Sequence, residues 1–539
     1  MDGDFDFIIV GAGSAGCVLA DRLTNGTRHR VLVLEAGGTD QRLFVQMPLG
    51  YGKTYYDPAV NWCYRTEPDP GLAGQRDYWP RGKVLGGSSS INAMVYVRGH
   101  PTDYDDWKAA GNPGWGWDDV LPAYRAMEDF EEGPNDWRGR GGPLHVSANR
   151  RDLHPLIHPY LEACRMVGLP TRDDFNGPEQ EGAGHYQITV KGGRRNSAAR
   201  AFLRPALRRG RVALRTGALV TRVLFDGRRA TGVEYRHGGR SHTARAAGGV
   251  ILSGGAVNSP QLLMLSGIGP GAHLQDLGLP VLIDNPNVGA HLNDHQGLNY
   301  TWRTRVPSLN EQLRPWWGKM LHGARWLLTG RGPLGISINI GGGFFRTDPA
   351  RTRPNMQLYL QAVTTVIPRD GERPILSPDP WPGLSIGLSN CRPTSRGQIT
   401  LAAPDPAAPP RITMRALATP EDVAEMLAAV KMLRRIAAQP PLARLIDREL
   451  RPGPEVQDDD AMIADIRQRS GTVYHASCTC RMGPDPASAV VDPRLRLHGA
   501  DALRVIDASA FPTLIGGNTN APAMLMGWKG AEMVLADAR

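Results

Sequence analysis

The first hydrophobic segments of the chain alternate between strand-like and helix-like patterns. Residues 5–10, Phe-Asp-Phe-Ile-Ile-Val, form a short apolar run that is typical of a buried parallel strand. Apolar positions then recur at helical spacing over 17–23, and a second apolar run fills 31–34. This order predicts a strand, a helix and a second parallel strand, which is the repeating unit of an α/β fold.

The same kind of pattern predicts elements farther along the chain. Residues 503–506 form another apolar strand, and Pro522 fits the first turn of a helix that runs to about residue 536. Residues 355–361 alternate as a strand does, and 422–436 show helical spacing. We interpret 315–328, which mixes Trp, Leu and Arg, as a buried helix; the alternatives are an active-site entrance and a membrane contact.

The composition narrows the class of protein. Of 539 residues, 41% are hydrophobic and 21% are charged, which excludes disordered, collagen-like and disulfide-scaffold chains. No apolar stretch reaches the roughly 18 residues that a membrane-spanning helix needs, so we expect no such helix. The net charge of +9 comes from arginines scattered along the chain, so we expect no nucleic-acid partner. Acidic residues stand where a signal peptide would be basic, which predicts a cytoplasmic protein.

A glycine-rich turn joins the first strand to the first helix. Its sequence, Gly11-Ala-Gly13-Ser-Ala-Gly16, permits a tight turn, a close approach to a pyrophosphate and tight packing of the helix on the strand. Glu35 ends the second strand and can accept hydrogen bonds from ribose hydroxyls. The motif alone does not choose between NAD and FAD. The residues expected to contact the dinucleotide here are Gly11, Gly13, Ser14, Ala15, Gly16, Glu35 and Ala36.

Longer motifs distinguish between NAD and FAD. Residues 79–92 read W-P-R-G-K-V-L-G-G-S-S-S-I-N, and residues 255–269 read G-A-V-N-S-P-Q-L-L-M-L-S-G-I-G. Residues 474–483 read Y-H-A-S-C-T-C-R-M-G, and 516–522 read G-G-N-T-N-A-P. With the N-terminal motif, these segments resemble the glucose–methanol–choline (GMC) family of FAD-dependent oxidoreductases over residues 5 to about 535. Within that family the chain is similar to the choline-dehydrogenase-like alcohol dehydrogenases.

The resemblance implies how FAD is bound. The Gly-Gly-Ser run would lie over the isoalloxazine ring, the backbone at Val220 would meet adenine, and Asp507 and Ala508 would contact the pyrophosphate or the ribityl chain. Ile91 stands where some members carry a histidine bonded covalently to FAD, so we predict non-covalent binding. The further contacts implied are Arg81, Val84, Gly86, Gly87, Ser88, Asn92, Ala93, Met94, Val95, Asn518 and Thr519.

The resemblance also implies a catalytic pair, His475 and Asn520. An imidazole, with an unperturbed pKa of about 6.5, can take a proton from an alcohol oxygen near neutral pH. Asn520 would hydrogen-bond and orient that oxygen. His291 and His295 fit a recurrent loop of the family, and we interpret both as structural.

The implied architecture has two parts. Residues 1–156, 205–300 and 465–539 are expected to form a discontinuous, Rossmann-like FAD-binding domain. Residues 157–204 and 301–464 are expected to form an α+β substrate-binding domain built on an antiparallel sheet.

The implied function is FAD-dependent oxidation of a primary alcohol to an aldehyde, by proton abstraction and hydride transfer to flavin N5. The expected partners are a small alcohol and an electron acceptor, which is a quinone, a dye-like acceptor or oxygen; a peripheral contact with the inner membrane stays open. We favour a dehydrogenase. The alternatives are an oxygen-using alcohol oxidase and a non-redox or photochemical relative, such as a hydroxynitrile lyase or a fatty-acid photodecarboxylase.

Overall fold

Two large β-sheets organise the chain in the computed structural model, which describes residues 5–365 and 377–538. The first sheet has seven strands, and the parallel pair predicted at the N-terminus lies at its centre. Its strands are Phe5–Val10, Val31–Glu35, Val212–Thr216, Leu219–Asp226, Arg229–His237, Arg240–Leu252 and Leu503–Val505.

Parallel pairing builds the core of the first sheet. Phe5–Val10 lies between Val31–Glu35 and the C-terminal part of Arg240–Leu252 and runs parallel to both. Leu503–Val505 extends the parallel part on the far side of Arg240–Leu252. Every residue of Val31–Glu35 is buried, as expected of a parallel strand that is covered on both faces.

The second sheet has eight strands and is almost entirely antiparallel. Within the described residues, its one parallel pairing joins Thr171–Arg172 to Gly182–His185. The predicted α/β fold with a second, antiparallel sheet is therefore confirmed. The strands of this sheet are Thr171–Arg172, Gly182–His185, Gln296–Thr304, Gly341–Phe345, Met356–Gln361, Gly383–Asn390, Ile446–Arg451 and Gly471–Thr472.

Short strand pairs and helices complete the fold. The two-stranded pairs are Tyr64–Arg65 with Tyr78–Trp79, Glu128–Phe130 with Leu144–Val146, Val190–Lys191 with Arg194–Arg195, Ile268–Gly269 with Ile283–Asp284, and Gln398–Thr400 with Arg411–Thr413. The α-helices are Ser14–Thr24, Leu43–Gln46, Tyr51–Thr54, Pro101–Ala109, Trp117–Met127, Ile157–Met166, Arg204–Arg208, Gly255–Leu265, Gly271–Asp276, Leu309–Leu313, Trp316–Thr329, Pro420–Ala437, Pro440–Ala443, Asp459–Arg469 and Asn520–Asp537. The 3₁₀ segments are Pro48–Gly50, Pro70–Leu72, Gly87–Ser90, Pro333–Gly335 and Ala508–Ala510, and Ala199–Leu203 is a π-helical turn.

Three later elements agree with their sequence patterns. The alternating segment forms the strand Met356–Gln361, and the helical spacing predicted at 422–436 forms Pro420–Ala437. The C-terminal helix is Asn520–Asp537, with Pro522 in its first turn. Pro is tolerated there because the first N–H groups of a helix have no partner within the helix.

The helix Trp316–Thr329 differs from its prediction. It was expected to be buried, but only Gly318 and Trp326 of its residues are. Trp316 is 73% exposed and Leu328 is 84% exposed. The prediction of a buried helix was wrong because an apolar helix pattern does not show whether a protein surface covers it.

The second sheet crosses two of the expected domain limits. The strand Gln296–Thr304 belongs to it, although residue 300 was the expected end of an FAD-binding segment. Gly471–Thr472 also pairs with this strand, although it lies in the segment 465–539, which was expected to belong to the FAD-binding domain.

Across 5–365 and 377–538, no helix has the length and apolar character needed to span a membrane.

Candidate functional site

One large cavity of about 990 Å³ runs from the N-terminal glycine-rich turn to the segment around His475. It brings together most of the residues that the sequence singled out. Those that line it are Gly11, Gly13, Ser14, Ala15, Glu35, Ala36, Arg81, Gly87, Ser88, Asn92, Ala93, Met94, Val95, Val220, His475, Asp507, Ala508, Asn518, Thr519 and Asn520.

Three of the expected contact residues do not line the cavity. Gly16 lies behind it, where a Cβ would overlap the carbonyl oxygen of Gly11, so this glycine keeps the helix close to the strand. Gly86 adopts a left-handed conformation with φ +88° and turns the chain into the Gly-Ser run. Val84 is buried in a small apolar cluster with Val45, Val60 and Ile91. Val84 does not line the cavity, and its contact with the cofactor stays a prediction.

The glycine-rich turn leaves an anion-binding helix end open to the cavity. Gly11 has φ +100°, and a Cβ on it would lie 2.5 Å from the carbonyl oxygen of Ser253. Gly13 caps the helix Ser14–Thr24 without any side-chain bond to its first N–H groups. Free N–H groups and the positive end of the helix dipole suit a pyrophosphate.

Glu35 lies at the neighbouring end of its strand. Its carboxylate accepts from the N–H groups of Ala12 at 2.9 Å and Gly37 at 2.8 Å. Burial raises the pKa of Glu35 to about 7, and those two bonds oppose the rise. A carboxylate can accept about four hydrogen bonds, so two positions remain for the hydroxyls of a ribose.

The neighbouring residues Gly87 and Ser88 form part of the cavity wall. A Cβ on Gly87, which has φ +52°, would lie 2.7 Å from the Cα of Gly13, so the two glycine segments touch. Ser88 lines the cavity beside Gly87, and its hydroxyl accepts from the N–H of Gly82. Small residues leave room here for a flat ring.

Asp507 connects the first sheet to the C-terminal motif. Its carboxylate accepts from the N–H groups of Gly255 and Ser509, both at 2.8 Å, and from the hydroxyl of Ser259 at 2.6 Å. It therefore fixes three segments around the cavity. The volume of the cavity, its glycine walls and its open helix end together fit FAD.

His475 lies at the far end of the cavity and is buried. Gly471–Thr472 pairs with the strand that begins at Gln296, with Thr472 opposite Gln296. That antiparallel register places His475 next to His295. The backbone N–H of His475 donates to Asp294 at 2.8 Å, which fixes the loop.

The hydrogen bonds of His295 define which nitrogen of His475 is free of a proton. His295 Nε2 lies 3.0 Å from the carbonyl oxygen of Cys391, which can only accept, so His295 donates from Nε2. A neutral His295 then accepts at Nδ1, which lies 2.9 Å from Nδ1 of His475. His475 thus carries its proton on Nδ1 and has a lone pair on Nε2, which is the form of a general base.

The amide that meets His475 belongs to Asn518, not to Asn520. Asn518 Nδ2 lies 3.2 Å from His475 Nε2, and Asn518 Oδ1 accepts from Gln357 at 3.0 Å, which sets the orientation of the amide. Asn520 instead accepts from the Ser14 hydroxyl at 2.8 Å, at the start of the first helix. The structure therefore brings Asn518, and not Asn520, into contact with His475, and a catalytic role for Asn520 stays a prediction.

The surroundings of His475 keep it neutral. Burial lowers the pKa of His475 well below its usual value, and the neighbouring His295 and Arg81 lower it further. Burial also lowers the pKa of His295, to about 4. Both rings are therefore uncharged near neutral pH, so His475 can accept a proton there.

Three residues of the hydrogen-bond network around His475 were not assigned to the site from the sequence: His295, Gln357 and Tyr359. His295 was interpreted as structural together with His291, yet it contacts His475 directly. His291 bonds Asn287 at 3.2 Å and has no such contact. Gln357 was not singled out, although it orients Asn518, and the hydroxyl of Tyr359 in turn donates to Gln357 at 2.8 Å. The Asp-His dipeptide in the recurrent loop was the available signal for His295.

Comparisons with known proteins show the family of the chain. The N-terminal model of the GMC oxidoreductases matches residues 5–297, and the C-terminal model matches 393–527. The chain is 42% identical to mitochondrial choline dehydrogenase of Homo sapiens over 98% of this chain and 90% of that protein. It is 41% identical to an oxygen-dependent choline dehydrogenase of Rhizobium etli, over 98% of this chain and 95% of the relative.

Solved structures show the same fold. Pyridoxine 4-oxidase from Mesorbium loti superposes with a TM-score of 0.89 at 32% identity, over 98% of this chain and 99% of that one. A variant of formate oxidase from Aspergillus oryzae superposes with a TM-score of 0.91 at 25% identity, over 100% and 99% of the two chains.

Proposed function

Because this chain belongs to the GMC oxidoreductase family, we propose that His475 and Asn518 carry out its reaction, the oxidation of a primary alcohol to an aldehyde. The chain is an FAD-dependent oxidoreductase that acts on CH–OH donors. The observation that carries the assignment of residues is the unprotonated Nε2 of His475, which lies at the cavity wall and accepts from the Asn518 amide at 3.2 Å.

Each residue of the pair has a distinct task. His475 Nε2 takes the proton of the alcohol hydroxyl, and its Nδ1–H stays bonded to His295. The Asn518 amide donates to His475 Nε2, so a bound alcohol hydroxyl would donate to Nε2 in place of the amide and accept from the amide at its oxygen, which holds that oxygen while its charge changes. Bound FAD supplies the acceptor for the hydride that leaves the carbinol carbon. The cation of Arg81 opposes the positive charge that His475 gains, since it lowers the pKa of His475.

Reduction of the bound flavin tests this function. The purified protein is mixed anaerobically with a panel of primary alcohols, and the yellow absorption band is followed. Bleaching by at least one alcohol is expected. A band that persists with every alcohol would instead favour the non-redox or photochemical alternative.

The substrate end of the cavity favours uncharged alcohols. Uncharged and cationic side chains line the cavity together with His475: the uncharged ones are Leu298, Asn299, Asn339, Tyr359, Gln361, Val363 and Leu388, and the cations include Arg81 and Arg469, whose guanidinium donates to the carbonyl oxygen of Asn299 at 2.7 Å. The partly exposed cation of Arg81 lowers the pKa of His475, so its field opposes a second positive charge nearby. We therefore infer a preference for neutral primary alcohols over quaternary ammonium alcohols, although choline gives its name to several relatives.

Choline and its neutral isostere test that preference. 3,3-Dimethylbutan-1-ol has the shape of choline without the charge. It should reduce the flavin with a higher kcat/KM than choline does. A kcat/KM that is at least tenfold higher for choline would contradict the preference.

The bond to FAD is proposed to be non-covalent. Ile91 occupies the place of the linking histidine, lines the cavity and is buried. Denaturation followed by separation should leave all the flavin in solution. Flavin that remains on the polypeptide would contradict the proposal.

The acceptor is proposed to be a quinone or dye-like compound rather than oxygen, which makes the enzyme a dehydrogenase. Turnover with an artificial acceptor should exceed peroxide formation under air. The reverse ratio would establish the oxidase alternative.

The division into an FAD-binding and a substrate-binding domain is kept as a proposal, but its limits change, because the strands Gln296–Thr304 and Gly471–Thr472 lie in the second sheet. A peripheral membrane contact is part of the same proposal, and the exposed helix Trp316–Thr329 supports it.

A further inference from the structure

Exposed hydrophobic side chains are concentrated on one part of the surface. Among the described residues, ten large hydrophobic side chains are exposed, and eight of them lie in two short segments. Met166 and Tyr474 are the other two. Such a concentration differs from the scattered exposure of an ordinary protein surface. The eight residues are Leu43, Phe44, Trp316, Trp317, Met320, Leu321, Leu327 and Leu328.

The helix Trp316–Thr329 supplies most of this surface. Its exposed apolar residues recur at positions 316, 317, 320, 321, 327 and 328, which follow one side of a helix over three turns. Trp326 points the other way and donates from Nε1 to the carbonyl oxygen of Gly193 at 2.7 Å. The helix is therefore anchored by its inner side and presents an apolar stripe outwards.

The hairpin around Gly193 connects this helix to the other apolar segment. Arg195, on the second strand of the hairpin, donates from Nε to the carbonyl oxygen of Val45 at 3.0 Å. Val45 belongs to the helix Leu43–Gln46, which carries the exposed Leu43 and Phe44. The two apolar segments thus lie on either side of one hairpin and form a single surface.

This surface is bordered by positive charge. A cleft of about 370 Å³ next to the hairpin is lined by Gln46, Arg194, Arg200, Arg204 and Arg208. Asp40 pairs with Arg204 at 2.7 Å. The sequence has no Asp or Glu from 182 to 225 or from 312 to 347, the stretches that contribute the arginines and the exposed helix. Burial and the neighbouring Arg194 and Arg204 lower the pKa of Arg200, as expected where positive charges are crowded.

The large cavity borders the same surface. Phe44 is both exposed and part of the cavity wall, and so are segments of the exposed helix at Lys319 and Gly323. Leu313 and Leu334, on either side of that helix in the sequence, line the cavity as well. A molecule that entered the cavity here would pass over the apolar surface.

We propose that this surface, made of the helices Leu43–Gln46 and Trp316–Thr329 and the arginine cleft, docks on a bilayer that contains anionic phospholipids. The Trp and Leu side chains enter the headgroup–acyl boundary, and the arginines bind lipid phosphates. Docking brings the cavity to the membrane, so that a lipid-soluble acceptor reaches the flavin without crossing water. This last step rests on the proposed function; the docking itself does not.

Vesicle binding by the flavin-loaded protein tests the docking. Sedimentation is measured with vesicles of phosphatidylcholine alone and of phosphatidylcholine with phosphatidylglycerol. Wild-type protein should bind the anionic vesicles at least tenfold more tightly than the neutral ones, and added salt should weaken the binding. Equal binding to both vesicle types, or none to either, would overturn the proposal.

Matched variants locate the surface. The triple variant Trp316→Gln, Leu321→Gln, Leu328→Gln should lose at least tenfold in affinity for anionic vesicles, whereas Met166→Gln, an exposed hydrophobic residue elsewhere, should bind as wild type does. Arg194→Gln with Arg208→Gln should also bind weakly, whereas Arg28→Gln with Arg240→Gln, also exposed, should not differ from wild type. Unchanged binding by the triple variant would overturn the proposal.

Two further measurements separate the alternatives. If the surface joins two copies of the chain instead, wild type will sediment as a dimer without vesicles and the triple variant as a monomer, which would overturn docking on lipid. Activity with a water-soluble dye should be the same in wild type and the triple variant, because none of the three residues lines the cavity. If vesicle binding is as predicted and no alcohol reduces the flavin, the proposed function fails and the docking stands.

Discussion

His295 and His475 face each other through their Nδ1 atoms at 2.9 Å, with the ring planes at 85°. His295 is held from its other side by the carbonyl oxygen of Cys391. A ring that donates to a carbonyl can only accept at its second nitrogen when neutral, so one backbone oxygen sets the proton positions of both histidines. The pair therefore works as one unit in which His295 positions and His475 reacts.

Replacement of His295 tests this relationship. His295→Phe removes the acceptor for the His475 Nδ1–H, so the reactive tautomer is no longer selected, and flavin reduction should slow by roughly 10- to 100-fold. His295→Asn keeps an acceptor near the same place and should recover most of the rate. The measurement is anaerobic stopped-flow reduction, with bound flavin per protein as the control for folding. Equal rates in both variants would show that His295 only fills space.

The pH dependence of kcat/KM follows from the lowered pKa of His475. The reactive form is neutral, and burial, His295 and Arg81 hold the pKa below the usual 6.5. The profile should therefore be flat near neutral pH and fall only in acid. His295→Phe removes one of the causes of the lowering, so its acid limb should move to higher pH. A limb above pH 6.5 in the wild type would contradict the site electrostatics.

Two asparagines, two residues apart, should have separable effects. Asn518→Ala removes the amide next to His475 Nε2 and should slow flavin reduction by roughly tenfold or more, because one bond to the reacting oxygen is lost. Asn520→Ala breaks the bond to Ser14 at the first helix and should weaken FAD binding more than it slows reduction. The comparison requires reduction rates at full flavin occupancy and FAD dissociation constants. The opposite pattern would return the catalytic role to Asn520.

Sequence patterns predicted the local elements of this chain and left the long-range contacts open. The strand–helix–strand unit at 5–35 was predicted because its signals are neighbours in the sequence. The contact of His295 with His475 depends on the pairing of Gln296 with Thr472, a register that no local pattern contains. The choice of Asn518 over Asn520 depends on where the final helix begins and which way the preceding turn faces.

The exposed helix shows a second limit. Trp316–Thr329 has apolar residues on its outer stripe and an inward Trp326, so its composition resembles that of a buried helix. Burial depends on which neighbour covers each side. Here a hairpin covers one side and, within the described residues, the outer stripe stays exposed.

A substitution in the nucleotide-binding turn tests the packing of the first helix. In Gly16→Ala the new Cβ would meet the carbonyl oxygen of Gly11, so the helix must shift and the unfolding free energy should fall by roughly 1–3 kcal/mol. Gly38→Ala is the matched control, because no atom lies within 4 Å of its added Cβ, and its effect should stay within about 0.5 kcal/mol. Denaturant titration of the two proteins gives the difference. Equal stability would show that the contact is relieved without cost.

The proposed reaction requires His475 Nε2 to take the alcohol proton as hydride leaves for the flavin. The most direct test is the rate of anaerobic flavin reduction by the best alcohol of the panel in His475→Ala, at full FAD occupancy. The rate should be lower than that of the wild type by roughly 10²–10⁴-fold, with FAD still bound. A rate equal to that of the wild type would contradict this requirement.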